Sequence, residues 1–254
     1  YYQGGLAEII YRPMSKTNWA YPKDATIYTK GSLTYAYDST GQEIKRLVED
    51  AGYVFNGTCY EKNIDGFGVD KLNYKLTIAG GSTDHPAYAM FLNAAKILNS
   101  VGFDVKVVTS QTALSDLSAG KLAIWAAAWS STIDPDMYQV YHMDSQASST
   151  SNWGYKQIKA GKNTEAYAEE YQIITDLSAL IDQGRATTNQ NERKGIYAQA
   201  LDKIMEFAVE MPTYQRNDMS AYNKNVLDES TMTPASERSP YNGLLSRLWE
   251  LNYR

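Results

Sequence analysis

Leu72-Asn-Tyr-Lys-Leu-Thr-Ile78 alternates apolar and polar side chains with the period of two that a half-buried strand requires. Gly80-Gly81 breaks the pattern, and Ser82-Thr-Asp-His-Pro86 reads as a helix start with proline in the first turn, where its missing N–H costs nothing. Ala87, Met90, Ala94, Ile97, Leu98 and Val101 then recur at helical spacing until Gly102. Phe103 to Val108 reads as a second strand, Thr112 to Ala119 as a short helix and Leu122 to Trp129 as a third strand. Strands that alternate with helices are joined by crossovers, and crossovers make neighbouring strands parallel. The chain is therefore read as α/β, with a mixed, mainly parallel sheet flanked by helices.

The flanks say less. Residues 1–40 lack periodicity and carry Gly4, Gly5, Pro13, Pro22 and Gly31, so they read as an extended, loop-rich lead-in. A short helix is predicted over Gly41 to Ala51, with Ile44, Leu47 and Val48 on one face and Gly52 as its stop. Residues 56–70 read as turns, from Asn56, Gly57, Asp65, Gly66 and Gly68. Downstream, helices are predicted over Thr164 to Gln183 and Asn191 to Val209. The second carries Ile196, Tyr197, Ala200, Leu201, Ile204, Met205 and Ala208 on one stripe. Met211 to Tyr222 reads as a strand entered through Pro212, and the tail from about Asn225 as a connection leaving the main domain.

Composition removes whole classes of function. With 254 residues the chain can bury a sizeable core, as one large domain or two small ones. A net charge of -5 argues against nucleic acid, which needs a basic footprint. The longest apolar block, Leu122 to Trp129, is far short of the roughly 18 residues of a membrane span. Cys59 is the single cysteine, so it forms no internal disulfide and no thiolate metal site. The 21 tyrosines and 5 tryptophans exceed what packing needs and suit a binding cleft. Beginning Tyr-Tyr-Gln-Gly-Gly, the chain reads as a piece of something longer.

Catalytic patterns are missing from the sequence. His85 and His142 have no zinc-ligand spacing, and Asp84-His85 is a bare two-residue match. There is no nucleophile elbow and no phosphate-binding glycine loop. Glu169-Glu170 reads as a solvated helix face. No metal and no cofactor are expected.

The stretch Trp125 to Tyr141 is more informative. An apolar strand ends at Trp129, and in an open parallel sheet ligands bind beyond the carboxyl ends of the strands. Trp129, Ser130, Ser131 and Thr132 fall there. Asp134 reads first as a helix N-cap with Pro135 at N1, a role compatible with a pocket. Trp153, in the polar loop Asn152-Trp-Gly-Tyr155, is either a contact surface or a side chain folded back on its own domain. Tyr214, Arg216 and Asn217 could line the same cleft, although strand alternation alone accounts for them.

Several segments together are similar to one family. Trp129 with Asp134-Pro135-Asp136 and Tyr138 resembles a region of peptide and nickel receptors: tryptophan, a short polar stretch, then Asp-Pro-Asp and an aromatic. Leu180 to Tyr197 resembles the same family's helix, turn and Glu-Arg helix, and Glu210-Met-Pro-Thr-Tyr214 the strand that follows. Met14 to Ala25 and Asp50-Ala-Gly-Tyr53 are similar to its upstream parts. In order and spacing these segments resemble the carboxyl-terminal half of extracellular solute-binding protein family 5.

That resemblance implies a type II periplasmic-binding-protein-like lobe over residues 1–229, with 1–40 as its lead-in. Residues 230–254 would then return toward an amino-terminal lobe. It implies the substrate-binding component of an ABC importer, not an enzyme. Such a receptor is bacterial, extracytoplasmic and lipid-anchored or periplasmic, monomeric, and hands peptides or other small solutes to a membrane permease. Ligand contacts would come from Trp129, Ser130, Ser131, Thr132, Asp134, Trp153, Tyr214 and Arg216. One departure matters. Peptide receptors of this family place an aspartate three residues after the tryptophan to pair with the ligand's amino terminus, and this chain has Thr132 there. A buried ammonium without a countercharge is costly, so either Asp134 takes over or the ligand lacks a free amine. The alternatives are therefore an oligosaccharide or other amine-free solute, an α/β enzyme using Asp134 or Asp136, and a protein-interaction domain.

Overall fold

The computed structural model describes residues 5–31, 33–130, 132–148, 152–239 and 241–254. The strands are β1 (Ala7–Ile9), β2 (Thr29–Lys30), β3 (Leu33–Thr34), β4 (Val54–Phe55), β5 (Tyr60–Ile64), β6 (Gly68–Lys71), β7 (Asn73–Ala79), β8 (Asp104–Ser110), β9 (Ile124–Trp125) and β10 (Tyr214–Arg216). The helices are α1 (Gln42–Asp50), α2 (Pro86–Ser100), α3 (Ala113–Ser118), α4 (Tyr138–Tyr141), α5 (Tyr155–Ala160), α6 (Ala168–Ala186) and α7 (Gln190–Phe207). Contacts divide the chain into two units, one of residues 27–129 with 137–182, the other of 1–26, 130–136 and 183–254.

In the first unit the decisive stretch is the central strand of a parallel sheet in the order β8-β7-β9. Asn73 pairs with Asp104 and the register runs unbroken to Ala79 with Ser110, while Leu76 and Thr77 pair with Ile124 and Trp125. Leu76, Thr77 and Ile78 are all buried, as in a strand covered on both faces. Leu76, Ala95 and Val105 form a core joined by Phe91, Leu98, Phe103 and Val107. α2 begins as expected: Pro86 stands in the first turn, and the His85 ring accepts from the Ala87 N–H at 3.1 Å. Asn99 then clamps the entry to β8, accepting from Val105 N at 2.7 Å and donating to Val105 O at 2.9 Å.

Two expectations change here. Residues 56–70, read as turns, hold most of an antiparallel meander in the order β4-β5-β6. The turn residues are its tips: Asn56 accepts from Thr58 N and Cys59 N, and Gly66, with φ +80°, lies against the Thr164 side chain where no Cβ fits. The third parallel strand also shrinks to Ile124–Trp125, although Ala126 N still bonds Thr77 O at 3.1 Å. Farther on, Tyr141, Tyr155, Ile158, Ile173, Ile174, Leu177 and Ile181 are buried along α4, α5 and α6.

In the second unit the lead-in is not simply extended, because β1 pairs antiparallel with β10 from Ala7–Arg216 to Ile9–Tyr214. The strand predicted over Met211 to Tyr222 is only as long as that pairing. α7 buries five of the seven stripe residues, with Tyr197, Ala200, Leu201, Ile204 and Met205 nearly inaccessible, Ile196 half-buried and Ala208 exposed past the helix end. It ends at Ala208 in the left-handed conformation, φ 59°. The tail closes on itself: Asp228 N bonds Asn252 O at 2.9 Å, Arg254 N bonds Val226 O at 3.0 Å, and Met232 and Thr233 are buried. Among the described residues no helix is long and apolar enough to cross a membrane.

Candidate functional site

The segment 130–136 contributes seven residues to the second unit, and the described ones lie in no helix or strand. The N-cap reading of Asp134 fails, since the next helix starts at Tyr138 with Met137 as its cap. The Asp134 carboxylate is engaged elsewhere. Its Oδ1 accepts from Asp136 N at 2.9 Å, which closes a local turn. Oδ1 and Oδ2 also accept from Arg193 Nη2 and Nη1 at 2.9 and 3.2 Å, the paired geometry that a guanidinium matches to a carboxylate.

Arg193 is held on every side. Its Nε donates to Gly184 O at 2.9 Å and its Nη2 also donates to Tyr197 Oη at 3.1 Å. The guanidinium carbon lies 5.5 Å from the Trp19 ring centre and 5.3 Å from that of Tyr197, within cation–π range of both. The hydrogen bond from Arg193 holds the Asp134 carboxyl below the usual aspartate range. The same pairing pushes the Arg193 guanidinium still higher. Asp136 pairs with Arg185 Nε at 3.3 Å. Together with Thr187 and Thr188, these two aspartates and two arginines line an open depression of about 430 Å³. Its charges balance, so it is polar without being a trap for either sign.

Thr132 is tied into the same unit. Its hydroxyl donates to Asp134 O at 2.7 Å, and its carbonyl accepts from Asn18 Nδ2 at 3.3 Å. The buried Asn18 is fixed in turn, with Oδ1 accepting from Ala20 N at 2.9 Å. Ser130 is exposed, and Ser131 lies outside the described residues. Tyr214 and Arg216 point to one face of β10, and Gln215 to the other, where it accepts from Ser15 Oγ and Lys16 N.

The remaining candidates belong to the first unit. Trp129 is 56% exposed. Trp153 folds back, stacked near Trp125 at 5.9 Å and Tyr141 at 6.1 Å, with Nε1 donating to Val140 O at 2.9 Å. Its ring is thus packed within its own unit and remains half-buried. Among the described residues no group of three or more His, Cys, Asp or Glu could hold a metal ion.

Sequence reasoning missed Arg193, Arg185, Asn18 and Trp19. The spacing of Arg193 and Tyr197, four apart on one helix face, was readable. The partners contributed by 130–136 and by the lead-in had no local signal.

No protein-family model matches the chain, and no curated protein sequence does. Solved structures do. The oligopeptide-binding protein AppA from Bacillus subtilis, in complex with a nonapeptide, matches 98% of this chain with TM-score 0.62 and 17% identity. NikZ from Campylobacter jejuni, in complex with Ni(L-His), matches 97% with TM-score 0.59 and 18% identity. The fold is that of the family 5 solute-binding proteins. DppA from Helicobacter pylori, an ABC transporter-associated periplasmic binding protein in complex with the peptide STSA, matches 83% with TM-score 0.51 and 21% identity. The chain spans 43%, 44% and 34% of those three proteins, less than half of a family 5 solute-binding protein in each case.

Proposed function

We propose that the chain is the carboxyl-terminal part of a peptide receptor, the substrate-binding component of an ABC importer, working outside the cytoplasmic membrane of a bacterium. The observation that carries this reading is the match of 98% of the chain to an oligopeptide-binding protein at TM-score 0.62. On this reading the protein is a binding protein and not an enzyme. It is a monomer with a lipid anchor or a periplasmic location, and its partners are a peptide and the permease. Residues 230–254 are the return toward the amino-terminal lobe, and Leu248, Trp249 and Tyr253, at 64%, 79% and 79% exposure, are the side chains it would bury.

Trp129, Ser130, Ser131 and Thr132 are proposed as ligand contacts, with Tyr214 and Arg216 as further ones. Asp134 is proposed as a support for the site, its charge already paired with Arg193 and so a weak countercharge for a peptide ammonium. The same observation favours a second reading, a solute without a free amine such as an oligosaccharide, since Thr132 brings a hydroxyl and no charge. Titrating the full-length protein with peptides of graded length, with tryptophan fluorescence as the readout, tests the first reading. Saturable quenching by peptides supports it, and saturable quenching by oligosaccharides alone replaces it with the second.

A further inference from the structure

We propose that Arg193 is a positioning residue of the ligand-binding stretch, holding Thr132 to Asp136 in one register through a fork that lysine cannot reproduce. The inference rests on the reading of that stretch as the binding segment. The segment is seven residues long, and its described residues lie in no helix or strand. Asn18 holds the Thr132 carbonyl at 3.3 Å and Arg185 pairs with Asp136 at 3.3 Å. The Arg193–Asp134 contact is paired, and paired bonds fix orientation as well as distance.

The anchor is itself immobilised before it reaches the segment. Arg193 stands on α7 one turn before Tyr197, a residue with no accessible surface, and its side chain is only 18% exposed. Trp19, Tyr197 and the Gly184 carbonyl fix the guanidinium plane from three directions. The bonds run on from Asp134: its carbonyl accepts the Thr132 hydroxyl at 2.7 Å, so the orientation of Thr132 is set by the peptide unit that the fork holds. Arg193 thus acts through Asp134 on a residue it does not touch.

A lysine at 193 keeps the charge and can reach one oxygen, but it presents a point charge in place of a planar fork. The test compares Arg193→Lys, Arg193→Met and, from the exposed side of the pair, Asp134→Asn in the full-length protein. Methyl spectra of threonine-labelled protein read Thr132, with Thr77, buried in the parallel sheet of the other unit, as the control. Affinity is read with an equimolar mixture of nonapeptides, and folding by thermal melting. The expected result is that Arg193→Lys shifts and broadens Thr132 alone and keeps the melting temperature within about 4 °C. Nonapeptide affinity is expected to fall about tenfold, the scale on which a small misplacement is felt. Asp134→Asn should reproduce the Thr132 change.

An unchanged Thr132 signal in both variants overturns the proposal. So does a loss of affinity that tracks the melting temperature across all three, which is the mark of a purely structural residue. If Thr132 shifts as expected but the wild-type protein binds no nonapeptide, the hold of Arg193 on the segment stands and the peptide reading falls.

Discussion

Asp134 and Arg193, 59 positions apart, are joined by hydrogen bonds of 2.9 and 3.2 Å, with the arginine largely shielded and the aspartate 59% exposed. The asymmetry decides what the pair is worth. The guanidinium has already given up water to two aromatic faces and a carbonyl, while the carboxylate remains well hydrated. A pair of this kind is modest in stability and strong in geometry.

Replacing Asp134 with asparagine is therefore expected to cost about 1 kcal/mol, the upper end for a solvent-exposed ion pair. Chemical denaturation of the two proteins at neutral pH measures it. A loss of several kcal/mol would mean that the pair is a buried core element and not an orienting one.

The pH dependence of that difference has a definite sign. The folded-state pKa of Asp134 lies below the unfolded value because Arg193 favours the carboxylate. Its stabilisation is present above the unfolded value, about 3.9, and is lost as pH falls through the lower folded one. The gap in stability between the native protein and Asp134→Asn should hold level down to about pH 5 and close below about pH 4. A gap that widens in acid contradicts the assignment.

Gly184→Ala should destabilise, against the usual trend in helices. Alanine ordinarily adds about 1 kcal/mol over glycine inside a helix. At 184 the new methyl would run into the Tyr197 ring, meeting Cε1 and lying 2.8 Å from Cδ1, and that ring has no room to move because it is fully buried. The expected net loss is about 1 to 3 kcal/mol, read as a lower melting temperature. A rise would show that Gly184 and Tyr197 are less closely packed than the structure has them.

Thr132→Asp adds the carboxylate that the resemblance to peptide receptors implies at that position. If Thr132 contacts the ligand, the variant should prefer peptides with a free amino terminus over their acetylated forms by about tenfold, or about 1.4 kcal/mol. Equal affinities for the two forms would remove Thr132 from the binding surface.

The sheet was legible in the sequence because two signals agreed: the alternation of Leu72 to Ile78 and the glycines at 80, 81 and 102 fall at the same boundaries. The long stripe of α7 was legible for the same reason. β1 was not, since three residues that pair with Tyr214 to Arg216 at the far end of the chain have no local period to display. The meander was hidden by its composition. Tyr60-Glu-Lys-Asn-Ile64 puts polar residues on both faces, and the flanking glycines look like loops until the strands between them are seen. At the site, Trp129 to Asp134 could be picked out as a stretch. What Asp134 does there depends on an arginine from another helix, and no window of local sequence contains both.

The most direct test of the central claim is mass spectrometry of the small molecules released when the full-length protein, purified from its native host, is denatured. The account predicts peptides among them, in amounts comparable to the protein. Release of sugars or other amine-free solutes, with no peptide, would contradict the peptide reading and make Thr132 the residue that marks a different class of ligand.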